Sequence, residues 1–231
     1  MNVPRRKLAI FDIDGTIFRS SLLIELTNAL AAEGIFRPSA SRAYERARKK
    51  WLDRQGEYED YITSVIVSFR KNLKGVAYDD FLRVAQQVVT VHQNRVYQFT
   101  RDLVRNLKQK GYWLAAISHS PKAIVGPFAK RLGFDKTYGI LYELDGAHKF
   151  TGRAMYEDLI YDKAKIVQRI LEKETVTLKG SVGVGDTESD ISFLRLVNRP
   201  ICFNPNRKLY AAAKRADWRI VIERKDLIYR V

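Results

Sequence analysis

Two aspartates stand one residue apart at the end of an apolar run near the start of the chain. Residues 9–18 read AIFDIDGTIF, so Asp12 and Asp14 follow a strand-like segment and precede Gly15 and Thr16. A carboxylate beside buried apolar surface is destabilising unless a cation, a metal ion or hydrogen bonds compensate it. Strand alternation directs both side chains to the same side, about 6 to 7 Å apart. The pair therefore indicates a site that contains positive charge.

Later segments also place polar side chains at the ends of strand-like runs. Ser118 ends the run YWLAAIS and is followed by His119. Asp186 ends the run GSVGVGD, and Asp190 follows it by one helical turn. In open parallel sheets, ligands bind outside the carboxyl ends of the strands. We therefore expect these side chains to share one cleft with the N-terminal aspartate pair.

Four carboxylates in one cleft repel each other unless a cation lies among them. Mg²⁺ is the natural candidate, because it prefers carboxylate and carbonyl oxygens at about 2.1 Å and often shares its site with a substrate phosphate. The three histidines lack the spacing of a helical metal site, and Cys202 is the only cysteine. The sequence therefore predicts a metal ion held mainly by oxygen, with neither a disulfide nor a cysteine-based zinc cluster.

Positive charge and hydrogen-bond donors accompany these carboxylates. Lys163 opens the helical segment KAKIVQRIL, and the spacing to the following apolar residues favours it over Lys165. The hydroxyls of Thr16 and Ser118, with free backbone N–H groups near His119, can cradle an anion. Carboxylates, a dication, a lysine and donors together describe a phosphoryl-transfer site.

The elements that position these residues are of two kinds. From Leu22 to about Lys110, apolar residues recur three or four positions apart, which predicts a run of helices without a strand. After Gly111, strands and helices alternate, which indicates a parallel sheet with helices on both faces. The predicted fold class is α/β: a Rossmann-like, doubly wound parallel sheet interrupted by an all-helical insert.

The element boundaries are predicted as follows. The predicted strands are 7–13, 112–118, one or two within 136–144, 180–186, 200–204 and, last in the chain, 218–223. The predicted helices after the insert are 100–110, 121–132, 163–173, 188–197 and 207–214.

The chain of 231 residues carries a net charge of +15, and the charge is concentrated towards its end. Residues 192–231 hold ten basic and three acidic side chains. The positive electrostatic field of such a segment favours the binding of acidic small molecules, anionic membrane surfaces or nucleic acid. No specific nucleic-acid motif accompanies it. No apolar stretch approaches the roughly 20 residues of a transmembrane segment. Asp12 interrupts the N-terminal apolar run, so we expect a cytoplasmic protein without a secretory signal.

In this order and spacing, DIDGT, ISHS, the lysine of YDKAKIVQ and GDTESD resemble the four motifs of the haloacid dehalogenase superfamily of phosphatases. The helical insert resembles the cap domain of the phosphoserine-phosphatase-like branch. The resemblance implies a catalytic core of residues 1–17 and 98–231 and a cap of residues 18–97. It also implies a magnesium-dependent phosphomonoester hydrolase that acts on a small phosphorylated metabolite through an aspartyl-phosphate intermediate.

By position, the family implies a role for each carboxylate. Asp12 would be the nucleophile, and Asp14 the general acid and then the general base. Magnesium would be bound by the Asp12 carboxylate, the Asp14 backbone carbonyl and Asp186, with Asp190 in support.

The same resemblance assigns the groups that hold the phosphoryl oxygens. Ser118 and Lys163 would bind them, and Thr16 and His119 stand where they can donate to the same phosphate. His119 has a second interpretation, in which it only fills space beside Ser118.

Two departures from the family argue against phosphoserine as the substrate. Ser21 in FRSSLL stands nearest the position of the family's substrate-reading glutamate, and His119 and Ser120 replace the glycines of the second motif. Two other functions remain open. One is a phosphotransferase that uses the same site, and the other is a binding module that acts through its basic surface on nucleic acid or anionic lipid. Asp14 favours an enzyme, because a binding module has no need of an acid/base residue.

Overall fold

The computed structural model describes residues 4–231. The strands in that part of the chain are β1 Arg6–Asp12, β2 Trp113–Pro121, β3 Lys136–Leu144, β4 Phe150–Met155, β5 Val176–Gly185, β6 Arg199–Phe203, β7 Arg219–Arg224 and β8 Leu227–Arg230. The helices are α1 Leu22–Ala32, α2 Ser39–Leu52, α3 Tyr58–Leu73, α4 Tyr78–His92, α5 Gln98–Gln109, α6 Lys122–Leu132, α7 Glu157–Ile160, α8 Lys163–Lys173, α9 Ile191–Leu194 and α10 Arg207–Arg215.

The strands form one sheet in the order β4-β3-β2-β1-β5-β6-β7-β8. Neighbouring strands are parallel across the middle of the sheet, which consists of β3, β2, β1, β5, β6 and β7. β4 and β8 pair antiparallel at the two edges. The predicted α/β class with a doubly wound sheet is confirmed, and the two antiparallel edges are an addition to it.

The residues of β1 alternate between two hydrophobic cores, one on each face of the sheet. Ala9 and Phe11 belong to the first core, whereas Leu8 and Ile10 belong to the second. The four helices α1–α4 follow β1 directly, as the helical periodicity predicts, and their apolar faces join the first core.

Several predicted boundaries differ from the observed ones. The segment predicted as a helix over 188–197 is a 3₁₀ turn, Glu188–Asp190, followed by the one-turn helix α9. β2 continues to Pro121, so this proline precedes α6 and lies outside it. The prediction that the chain's last strand ends near residue 223 is wrong, because β8 follows it. All four residues of β8 are exposed, so it lacks the alternating burial that a sequence pattern reveals.

No helix within residues 4–231 combines the length and the apolar character that crossing a lipid bilayer requires.

Candidate active site

The carboxyl ends of three neighbouring parallel strands bring the candidate residues together. Asp12 is the last residue of β1 and pairs with Ile117 of β2, directly before Ser118. Phe11 pairs with Val184 of β5, and that strand ends just before Asp186. The carboxyl ends of β1, β2 and β5 therefore converge as the strand pattern predicts.

A tight turn after β1 presses the chain against Asp186. Gly15 has a φ of +81°, and a Cβ atom at this position would collide with Oδ2 of Asp186. Only glycine combines this backbone conformation with such a close approach. The next residue, Thr16, donates from its hydroxyl to Oδ1 of Asp186 at 3.0 Å. The DGT sequence thus fixes the position of a carboxylate 170 residues later in the chain.

Lys163 is almost completely buried between two carboxylates. Its Nζ lies 2.6 Å from Oδ1 of Asp12 and 2.5 Å from Oδ1 of Asp190. Burial lowers the pKa of Lys163, but the two carboxylates raise it by more, so the side chain stays protonated. Asp162 caps the first turn of α8 by accepting from the Ala164 N–H at 3.1 Å, which fixes where this helix begins. The rival candidate Lys165 is exposed.

Three carboxylates form a cluster beside this lysine. Asp12, Asp186 and Asp190 each offer an oxygen atom within 4.8 Å of the others. Asp190 is oriented by the 3₁₀ turn, because its Oδ2 accepts from the backbone N–H groups of Asp186 at 2.9 Å and Thr187 at 3.1 Å.

The cluster carries more negative charge than Lys163 neutralises. Burial raises the pKa of Asp12, Lys163 opposes that shift, and the carboxylate of Asp190 adds to it. Burial and the Asp12 carboxylate raise the pKa of Asp186 in the same way. Oδ2 of Asp12 is buried and has no hydrogen-bond partner within residues 4–231. An orphaned carboxylate oxygen in an all-oxygen donor set fits a hard divalent cation such as Mg²⁺.

Asp14 lies outside this cluster and has a separate set of partners. Its Oδ2 accepts from the hydroxyls of Ser118 at 2.5 Å and Ser120 at 2.8 Å, and its Oδ1 accepts from the Leu22 N–H at 2.5 Å. Burial raises the pKa of Asp14, and the three hydrogen bonds only partly oppose that shift. A carboxyl group with a raised pKa is suited to carrying a proton at neutral pH.

His119 points away from the partners of Ser118, as expected for adjacent residues of a strand. Its ring packs against Tyr161 at a centroid distance of 5.2 Å. Burial, and then the Lys163 ammonium, lower the pKa of His119 to about 4. Its buried Nε2 has no hydrogen-bond partner in the described part of the chain. His119 is therefore a neutral side chain on the opposite side of β2 from Asp14.

Sequence reasoning assigned no role to two residues near the site. Ser120 lies on the same face of β2 as Ser118, so the alternation of the two serines was the available signal. Tyr58 is the second, at the start of α3. Tyr61 and Phe69 are buried, whereas Tyr58 is 37% exposed.

Tyr58 is close enough to the cleft for the carboxylates there to act on its hydroxyl. Burial and the charges of Asp14 and Asp186 raise its pKa. Its ring packs at 5.2 Å from that of Trp51. No sequence pattern predicts this position, because it depends on how α3 lies against the sheet.

Ser21, which by the resemblance stands nearest the position of the family's substrate-reading glutamate, is buried. A nearby carboxylate, Glu25, is already engaged, because it accepts from Ser20 at 3.0 Å and pairs with Arg95 at 2.8 Å.

A family model of haloacid dehalogenase-like hydrolases matches residues 9–195 of the chain. The chain belongs to this family. The phosphoserine phosphatase SerB1 of Mycobacterium tuberculosis is 26% identical over 220 residues, which cover 92% of this chain and 69% of that protein. The phosphoserine phosphatase of Methanocaldococcus jannaschii is 24% identical over 228 residues, which cover 96% of this chain and 95% of that protein.

The same fold occurs in the crystal structure of a Bordetella pertussis protein of unknown function, with a TM-score of 0.74 at 18% identity. The alignment covers 95% of this chain and 99% of that one. The family match and the sequence relatives together identify this hydrolase as a phosphatase of the phosphoserine-phosphatase-like branch.

Proposed function

We propose that the protein is a magnesium-dependent phosphomonoester hydrolase that forms an aspartyl-phosphate on Asp12. The observation that carries this proposal is the environment of the Asp12 carboxylate. Lys163 holds one of its oxygens at 2.6 Å, and the other oxygen is buried without a partner beside Asp186 and Asp190. A carboxylate held in this way is fixed in position and is oriented for attack on phosphorus.

The chemistry divides between two carboxyl groups. One oxygen of the Asp12 carboxylate attacks the phosphorus atom, the bond to the leaving oxygen breaks, and the protonated Asp14 gives its proton to that oxygen. A water molecule then attacks the phosphorus, Asp14 accepts its proton, and inorganic phosphate leaves as the Asp12 carboxylate is regenerated. The raised pKa of Asp14 supports its first role, and its hydrogen bond to Ser120 keeps it oriented for both.

The remaining site residues neutralise negative charge and position the phosphoryl group. Mg²⁺ would be held by the carboxylates of Asp12, Asp186 and Asp190 and by the backbone carbonyl of Asp14. When bound, it would stabilise negative charge on the phosphoryl oxygens. Lys163 adds a fixed ammonium beside Asp12.

When substrate binds, Ser118 gives up its hydrogen bond to Asp14 and donates to a phosphoryl oxygen instead. Thr16 contributes indirectly by fixing Asp186. His119 packs against Tyr161, and we assign it no contact with phosphate.

Residues 18–97 form, in this proposal, a cap over a catalytic core of residues 1–17 and 98–231. Ion pairs join α3 to the core at both ends. Lys208 bridges Glu59 of α3 at 3.1 Å and Glu188 of the 3₁₀ turn at 2.7 Å, and Arg70 pairs with Glu157 at 2.6 Å. A helix held across the cleft excludes water while the phosphoryl group is transferred.

The proposed substrate is a small phosphorylated metabolite other than phosphoserine. Ser21 offers no charge to an amino group, and Glu25 is neutralised by Arg95. Tyr58 instead presents a partly exposed aromatic ring on α3, within reach of the charges of Asp14 and Asp186. We therefore expect a leaving group with less charge than an amino acid.

Phosphate release from a panel of sugar, amino-alcohol, nucleotide and lipid-derived phosphomonoesters tests this function. We expect release that requires Mg²⁺ and that falls by at least about a thousandfold in Asp12→Asn, because a nucleophile is removed. Asp226→Asn, in the exposed turn before β8, is the matched control and should retain full activity. Magnesium-independent release, or equal rates in Asp12→Asn and the wild type, would refute the proposal.

A further inference from the structure

Tyr161 stands where the helical insert meets the α/β core. It directly follows α7 and precedes Lys163 by two positions, and Nζ of that lysine lies 2.6 Å from Asp12. Tyr161 is 46% exposed and belongs to neither of the two hydrophobic cores of the described residues. Its position is therefore set by specific contacts and not by burial.

The hydroxyl of Tyr161 contacts the insert. Nη2 of Arg70, in the last turn of α3, donates to this hydroxyl at 2.6 Å and to Oε1 of Glu157 at 2.6 Å. Glu157 begins α7, and Tyr161 directly follows the last residue of that helix. A hydrogen bond from a charged donor is shorter and stronger than one between neutral groups. One guanidinium thus ties α3 to both ends of α7.

The ring of Tyr161 contacts the end of β2. It packs against the ring of His119 at a centroid distance of 5.2 Å and an interplanar angle of 49°. His119 directly follows Ser118, whose hydroxyl donates to Asp14 at 2.5 Å. Because adjacent residues of a strand share one stretch of backbone, a displacement of the His119 ring also displaces Ser118.

The chain after Tyr161 leads directly to Lys163. Ile160 is buried in the second hydrophobic core together with Ile166 of α8, and Asp162 caps the first turn of α8. Packed side chains and hydrogen bonds transmit a displacement from one rigid element to the next. A displacement of Tyr161 therefore reaches Lys163 as well as Ser118.

We propose that Tyr161 is a positioning residue of the phosphatase reaction. Its hydroxyl binds α3 when that helix lies against the core, and its ring and backbone then hold Ser118 and Lys163 in their productive positions. This inference rests on the proposed function, because both residues are assigned there to phosphoryl transfer. An exposed pair contributes little to folding stability, whereas a misplacement of about 1 Å around the reacting atoms lowers a rate by up to about a hundredfold.

Steady-state kinetics of the full chain, with the phosphomonoester that it hydrolyses fastest, test this role. Tyr161→Phe removes the hydroxyl and keeps the ring, and we expect kcat to fall at least about fivefold while KM stays within about twofold. Arg70→Gln should lower kcat by at least as much. In the Arg70→Gln background, Tyr161→Phe should then have little further effect, because both changes remove the same hydrogen bond.

Arg83→Gln is the matched control. Arg83 is an exposed arginine of the insert that pairs with Glu33 at 2.6 Å, the same length as the Arg70 contacts, but its partner lies within the insert. We expect its kcat and KM to stay within about twofold of the wild-type values. The midpoint of urea unfolding should be alike in all these variants, because each loses only an exposed contact.

The NMR signals of the His119 ring report the same contact without catalysis. The chain has three histidines, so His119→Phe assigns these signals. We expect Tyr161→Phe and Arg70→Gln to shift them in the same direction, because the neighbouring aromatic ring moves. Arg83→Gln should leave them in place.

Unchanged kinetics, additive losses in Arg70→Gln and Tyr161→Phe, or an equal loss in Arg83→Gln would overturn the positioning role. His119 signals that do not move would also overturn it, as would a fall in the unfolding midpoint that accounts for the lost activity. A wild type that hydrolyses no phosphomonoester would instead refute the proposed function, and the wild-type rate, measured first, distinguishes the two failures.

Discussion

At the scale of single residues, the two aspartates of β1 have different environments. The sequence places both at one strand end, and alternation predicts that both point to one side. Regular pairing of β1 ends at Asp12, so the chain turns before Asp14. Asp12 then faces Lys163, whereas Asp14 faces Ser118. Alternation could not predict this divergence, because it depends on the turn that Gly15 makes against Asp186.

Ser120 orients the proposed acid/base residue. Its hydroxyl donates to Asp14 at 2.8 Å and accepts from the Leu23 N–H at 3.1 Å. A hydrogen bond to a charged group contributes about 1.5–3 kcal/mol, so we expect Ser120→Ala to lower kcat by about tenfold or more with little change in KM. Ser68→Ala is the matched control, because Ser68 is a buried serine that donates to the Ala40 carbonyl. Equal activity of the two variants would show that Ser120 has no positioning role.

His119 makes folding stability depend on pH. Its pKa is about 4 in the folded protein, below the ordinary value of 6.5, so the unfolded chain binds a proton more readily. The folding stability that the neutral His119 contributes is present above about pH 6.5 and is lost as the pH falls towards 4. Urea unfolding of the wild type and His119→Phe should show the wild type losing about 2 kcal/mol more between pH 7 and pH 5. Parallel pH profiles would contradict the buried, neutral state of His119.

At the scale of elements, periodicity predicts the helices of the insert but not how they meet the sheet. The ring of Phe81 in α4 lies 4.9 Å from that of Phe150 in β4 and 6.2 Å from that of Phe69 in α3. Such contacts join segments far apart in sequence, so local patterns cannot reveal them. The exposed strand β8 was missed for the related reason that neither of its faces is buried.

We expect buried rings, and not surface ion pairs, to hold the insert against the core. Phe81→Ala should lower the free energy of unfolding by about 3–5 kcal/mol, because it opens a cavity among packed rings. Lys208 is 63% exposed, so Lys208→Ala should cost less than about 1 kcal/mol. Urea unfolding curves measure both values. A larger loss in Lys208→Ala than in Phe81→Ala would reverse this ranking of the contacts.

At the scale of the whole molecule, one hydrophobic core extends from the insert into the sheet. It includes Leu26, Phe69 and Val84 from the helices and Phe11 and Phe203 from the strands. The sequence suggests two units, because its pattern changes near Leu22 and again after Gly111. Packing joins them, and packing across such a boundary is not encoded in either local pattern.

This shared core predicts cooperative unfolding. We expect a single calorimetric transition in which the calorimetric and van't Hoff enthalpies agree, because neither part can expose its face of the core alone. Two resolved transitions would contradict this, and would show that residues 18–97 unfold independently.

The most direct measurement concerns the covalent bond between Asp12 and phosphate. In Asp14→Asn, the water that hydrolyses the intermediate has no general base, so the aspartyl-phosphate should accumulate. The variant is incubated with Mg²⁺ and a phosphomonoester whose leaving group departs without a proton, so that the missing acid does not limit the first step, and is then quenched in acid and digested for mass spectrometry. We predict one phosphoryl group on the peptide that contains Asp12, and none in the Asp12→Asn/Asp14→Asn double variant. An unmodified peptide, together with wild-type rates of phosphate release in Asp12→Asn, would contradict the central claim.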